Sequence, residues 1–158
     1  MPDFKIIPIP ASVAHHIRTT MQDRYGHSLE VTQSEEDHNN PCRLCLEDTH
    51  KGDEQILFSY SPFAENDDPY AEVGPIYIHK ECAGPYQEVH TFPPDIRARP
   101  WLTVRGYNAD HAIHTAQLTK GEEIELAIGD VFSDPEVSYI HVRHGTYGCY
   151  LMRIERVN

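Results

Sequence analysis

Cys42-Arg43-Leu44-Cys45 and His79-Lys80-Glu81-Cys82 are two strings whose residue types and spacing could do chemistry together, with 33 residues between them. Two ligands separated by two residues can grip one tetrahedral ion, and two such pairs complete a closed four-coordinate shell. Cys42, Cys45, His79 and Cys82 make a Cys3His set, which structural zinc accepts, and soft thiolates favour zinc over harder divalent ions. A shell closed by four protein ligands leaves no position for water, so the expected role is to staple loops. Three of the chain's four cysteines fall into this pattern. Two other readings of the same residues stand beside it. The thiols could pack as small buried hydrophobes, with His79 a hydrogen-bonded strand residue. Cys42 and Cys45 could also form a redox pair, although no helix clearly starts at Cys42 to lower its pKa.

A second constellation lies on the last predicted hairpin, Val137–Arg143 and Cys149–Val157. With Arg143 placed opposite Cys149, Val142 faces Tyr150, Ile140 faces Met152 and Ser138 faces Ile154, which gathers an apolar set on one face. The other face then carries Tyr139, His141, Arg143, Cys149, Leu151 and Arg153. Such a face is either solvated, as in most antiparallel sheets, or a site. A cysteine nucleophile needs a histidine within reach, so Cys149 and His141 are the catalytic candidates, with Arg143 or Arg43 able to lower the thiol pKa. Arg43, Arg105, Arg143 and Arg153 would suit a small carboxylate or phosphate ester, because planar guanidinium forks match those groups. The same arginines could instead serve as ion pairs at the rim of an acidic protein. No phosphate-cradling glycine loop, nucleophile elbow or zinc-protease helix occurs, and the sequence decides neither for nor against an enzyme.

These residues need strands and turns to present them. The strand candidates are 5–9, 55–60, 75–79, 101–107, 112–119, 137–143 and 149–157. The pair 101–107 and 112–119 reads as a hairpin turning through Asn108-Ala109-Asp110, next to the terminal one. Two helices are legible. Ser12 caps the first, with Val13, Ala14, Ile17, Met21 and Tyr25 on one face before Gly26. The second begins at Thr119 with Glu122 completing a capping box, and Asp134-Pro135 ends it. Adjacent hairpins with two main helices predict an α+β fold with an antiparallel sheet, and 158 residues fit a single domain over 1–158.

Charge narrows the partners. The chain carries 25 acidic and 13 basic residues, a net of −12, so no nucleic-acid binding is expected, because few cations are available to displace counterions from phosphates. The acidity concentrates between Glu30 and Glu72, with 12 acidic and two basic residues, and includes the clusters Glu35-Glu36-Asp37 and Glu65-Asn66-Asp67-Asp68. These read as solvated loops, with a cation site as the other possibility. No apolar run approaches the roughly 20 residues that span a bilayer, and residues 1–10 hold one cation and no long apolar stretch. A cytoplasmic chain without membrane partners is expected, and its cysteines read as thiols or ligands rather than as a disulfide frame.

Longer strings carry a family likeness. Pro41-Cys42-Arg43-Leu44-Cys45-Leu46, the segment 58–63, the segment from Pro69 to His79, Val104-Arg105-Gly106-Tyr107, His141-Val142-Arg143-His144 and Gly148-Cys149-Tyr150 together resemble a bacterial family catalogued as domain of unknown function twelve-oh-three. The resemblance covers most of the chain from about Pro41 onward. It implies a chain about one domain long and brings no activity with it.

Overall fold

The computed structural model describes residues 3–63 and 68–157, so Glu65, Asn66 and Asp67 of the second acidic cluster lie outside the described residues. In chain order the elements are β1 (Phe4–Ile7), α1 (Ala11–Thr20), β2 (Val31–Gln33), β3 (Glu54–Tyr60), β4 (Gly74–His79), α2 (Pro94–Arg97), β5 (Leu102–Tyr107), β6 (Ile113–Thr119), α3 (Ile124–Phe132), β7 (Tyr139–His144) and β8 (Tyr150–Arg156). A single 3-10 turn, Gly121–Glu123, leads into α3. The strands form two sheets, β1-β8-β7-β5-β6 and β2-β3-β4, with every named pair antiparallel. This is the expected α+β class. No helix among the described residues is long and apolar enough to cross a membrane.

One compact unit comprises residues 3–7, 68–70 and 87–157 and holds the five-stranded sheet. Strand alternation sorts its two faces. Ile6, Ile154, Ile140 and Gly106 share one ladder row, and Met152, Val142 and Val104 share a neighbouring one. All of these but Gly106 are fully buried aliphatic side chains, each worth about 1.5–3 kcal/mol relative to exposure. α3 lays Ile124, Ala127, Ile128, Val131 and Phe132 on this face. Gly106 permits the contact, since a Cβ there would stand 2.8 Å from Val131 Cγ1.

The terminal hairpin differs in register from the sequence reading. Val142 pairs with Met152 and Ile140 with Ile154, a slide of two residues that keeps these four on the core face. Arg143 pairs with Tyr150 rather than with Cys149, because a bulge makes Leu151 the extra residue on β8. Tyr150 therefore joins the face of Arg143 and His141. That second face is not solvated: Tyr107, Tyr139, His141, Arg143 and Tyr150 are all buried.

The other unit, residues 8–63 and 71–86, holds α1 and the three-stranded sheet. Helix α1 is shorter than its apolar spacing predicts. It follows Pro10 directly, with no side-chain cap from Ser12, and ends at Met21 in the left-handed region (φ 52°). Asp23 explains the stop. Its carboxylate accepts the backbone N–H groups of Tyr25 and His27, drawing the chain into a turn before Tyr25 can extend the helix. The second predicted cap also fails: Thr119 ends β6 and its hydroxyl donates to the Lys120 carbonyl. Two short elements, β2 and α2, carry too few buried residues to signal themselves, and β2 is exposed throughout.

Asp23 further accepts the N–H of Ser59 and faces the His27 ring, which ties the end of α1 to β3. Burial alone would raise its pKa, but the His27 ring and the three N–H donors outweigh it and hold the carboxyl at about 2. A folded pKa below the unfolded value of about 3.9 stabilises the fold above that pH and loses the contribution as pH falls towards 2. We expect the wild type to lose on the order of 1–2 kcal/mol between about pH 5 and pH 2 from this group. Urea midpoints across that range should fall less steeply in Asp23→Asn; parallel curves would refute the assignment.

Candidate metal centre

A tight turn and a strand end build this centre inside the three-stranded unit. In the turn, the Cys42 N–H donates to the Glu47 carbonyl and the Leu46 N–H returns to the Cys42 carbonyl. Leu46 adopts the left-handed conformation (φ 61°) that reverses the chain. Residues 41–46 are all buried, so Cys42 and Cys45 point from a fixed backbone. Cys42 forms a parallel bridge with Tyr77 of β4, and the Arg43 N–H donates to the Tyr77 carbonyl. This bridge brings together the two pairs that are far apart in sequence. His79 ends β4 and Cys82 follows in the next turn.

The sulfurs of Cys42, Cys45 and Cys82 all lie within 4.8 Å of one another, close enough to share one ion. His79 flanks them: its Nδ1 is 3.4 Å from Cys45 Sγ, and its backbone N–H donates to Cys42 Sγ at 3.3 Å. On the far side of the ring, Nε2 lies 3.6 Å from Asp53 Oδ2. A carboxylate behind a histidine fixes ring orientation and makes the facing nitrogen a better ligand. Arg18, reaching from α1, donates to the His79 carbonyl at 2.8 Å and to Cys82 Sγ at 3.3 Å. Neither Arg18 nor Asp53 is visible as a supporting residue in the sequence, because nothing in its spacing links either to the ligand strings.

Three sulfurs in contact share their protons unequally. Hydrogen bonds from the Cys45 and Cys82 thiols drive the Cys42 pKa far down, against burial. The same bond to Cys42, with burial, drives Cys45 far up, and it lifts Cys82 to about 12 although Arg18 pulls the other way. The bond to Cys42 raises the His79 pKa, burial opposing it and Asp53 assisting. A cleft of about 320 Å³ opens at His79 and Cys82, with Glu47, Asp53, Glu54 and Glu81 around it. Carboxylates at a cleft mouth raise the local concentration of cations.

The remaining sequence candidates divide between the two units. Arg43 belongs with the thiols, buried, its Nη1 donating to the Pro41 carbonyl at 2.6 Å. Arg105, Arg143 and Arg153 belong to the five-stranded sheet, where Arg105 and Arg153 are the ladder partners of His141 on its two sides. Burial, then the charges of Arg143, Arg153, Arg105 and His111, push the His141 ring down to about 3, so it is neutral near pH 7. Cys149 precedes β8 in the turn, half-buried, its Sγ 4.0 Å from the Tyr147 carbonyl.

Comparison with known sequences agrees with the likeness noted above. The sequence model of a family described as protein of unknown function (DUF1203) matches residues 39–156. No curated protein and no solved structure matches the chain.

Burial sets an order of thiol reactivity. Cys42 is 0% exposed and Cys45 9%, whereas Cys82 and Cys149 are partly accessible. A brief iodoacetamide pulse on the reduced, folded chain, mapped by mass spectrometry, should modify Cys149 first and Cys42 and Cys45 only on unfolding. Equal labelling of Cys42 and Cys149 would contradict the packing described.

Proposed function

We propose that this chain, which belongs to the DUF1203 family of proteins of unknown function, carries a structural zinc ion on Cys42, Cys45, Cys82 and His79. The observation that carries the reading is the convergence of three sulfurs from two distant segments to within 4.8 Å. His79 Nδ1 approaches the trio from beside Cys45 and would fill the fourth corner of a tetrahedron. Support from the surroundings is specific. The donors to Cys42 and Cys82, a backbone N–H and a guanidinium, suit sulfurs in the thiolate form that binds metal. A zinc ion there would hold the 42–47 turn to the end of β4. It would also draw α1 in through Arg18, so that binding free energy becomes folding free energy for this unit. The redox reading is less favoured, since Cys42 opens a turn and no helix begins there.

Chain purified under reducing conditions without added metal should contain about one zinc ion per molecule by elemental analysis. Cys82→Ser should lose that zinc and melt at lower temperature, while Cys149→Ser, outside the cluster, should keep both. Asp53→Ala should weaken zinc binding by about ten- to a hundredfold through its hold on His79. Wild-type chain free of zinc and unaltered in melting temperature when zinc is supplied would overturn the proposal.

A further inference from the structure

A sheet edge exposes a row of backbone N–H and C=O groups with which another chain can pair, and folded proteins cover, shorten, bend or charge such edges. β1 is covered, the Ile6 N–H donating to the Val89 carbonyl at 2.7 Å. β4 is covered by the Cys42 bridge, and β2 is three residues long. The remaining edge is β6, which pairs with β5 alone. Among the described residues, no other segment makes a backbone hydrogen bond to 113–119.

A bulge divides this strand. Gly106 pairs with Thr115 and Tyr107 with Ile113, so His114 is the extra residue and a regular ladder runs only from Thr115 to Thr119. That run has no proline and no Asp, Glu, Lys or Arg, in a chain of net charge −12. Alternation sorts its side chains. Ala116 and Leu118 share one face and are exposed, Leu118 at 59%. Thr115, Gln117 and Thr119 share the other, the face on which Thr115 and Val131 of α3 both border Gly106.

We infer that β6 is the interface of a two-fold dimer, in which the Thr115–Thr119 runs of two copies pair antiparallel and join their larger sheets into one. The occupant is a second copy because the run is complementary to itself. Overlapping the whole run places Gln117 on the two-fold axis, where its amide faces the same amide, a group that both donates and accepts. Ala116 lies opposite Leu118 of the other copy, twice, so each exposed leucine gains an apolar neighbour. Thr115 lies opposite Thr119, a cross-strand pairing of hydroxyls. Past the run, Lys120 arrives beside the bulged His114 of the other copy, whose Nε2 is 2.9 Å from Asp134 Oδ2, so a cation meets a carboxylate. No charged side chain is desolvated within the run, although copies this acidic repel at most other surfaces. Every residue used lies in the five-stranded unit, so the inference is independent of the zinc reading.

A contact of this length falls below the roughly 1,200 Å² of a standard interface, so the association is reversible. Sedimentation velocity of the full chain from about 1 μM to about 1 mM should show a dimer fraction that rises with concentration. Leu118→Lys should weaken the dimer at least about tenfold, while its melting curve at low concentration stays that of the wild type. Register is read by disulfide trapping under air oxidation in the Cys149→Ser background. Gln117→Cys should link copy to copy, its counterpart lying directly opposite. Leu118→Cys should not, because its counterpart lies diagonally, beyond the roughly 7 Å that a disulfide spans between Cα atoms. A wild type monomeric throughout that range, or Leu118→Cys linking as readily as Gln117→Cys, would overturn the inference.

Discussion

The parallel bridge between Cys42 and Tyr77 is the contact on which the smaller unit turns. It places a buried turn beside the last residues of β4, so that the N–H of His79 reaches the Cys42 sulfur. Remove it, and the two ligand strings revert to unrelated loops. With it in place, α1 is drawn in by Arg18, and Asp53, just before β3, is set behind His79. Asp23, just beyond the same end of the helix, closes the arrangement by accepting the Ser59 N–H of β3. These polar contacts add to the buried Ile17, Leu44, Leu46, Ile56, Phe58, Ile76 and Ile78 in a unit whose first sheet strand is wholly exposed.

Much of this was legible because the signals are local and periodic. The seven predicted strands all exist, since each alternates or runs apolar over at least four residues and is bounded by turn residues. The Cys-x-x-Cys and His-x-x-Cys spacing identified three thiols that do converge, because the distance between two ligands of one ion is itself a local constraint. Helix ends were less legible. Ser12 and Thr119 have the composition of caps, yet Pro10 already starts the first helix, and Thr119 is committed to the β5 ladder opposite Leu102. Which of several local hydrogen bonds a hydroxyl makes is decided by tertiary contacts that no window of sequence contains.

The polar face of the larger sheet shows both outcomes at once. Part of its membership was readable from alternation: a two-residue slide in pairing left Tyr139, His141 and Arg143 together, because side-chain faces repeat every second residue, whereas the bulge moved Tyr150 onto this face. Its burial was not readable. Arginine, histidine and tyrosine in alternate positions ordinarily announce a wet surface, and here they form a dry aromatic floor with half-buried guanidiniums at its edge. Arg18 and Asp53 escaped for a related reason: supporting residues act across the fold and leave no spacing rule behind.

The extra residue at Leu151 has a genealogical consequence. Up to that point β8 obeys one parity and beyond it the opposite one, so Tyr150 belongs to the arginine face while Met152 and Ile154 belong to the core. A one-codon deletion of Leu151 would restore regular alternation and leave both assignments as they are, Tyr150 opposite Arg143 and Met152 opposite Val142. The bulge is therefore a place where a lineage can gain or lose one residue in a single inherited step, with the packed rows of Ile140, Val142 and Val104 left intact.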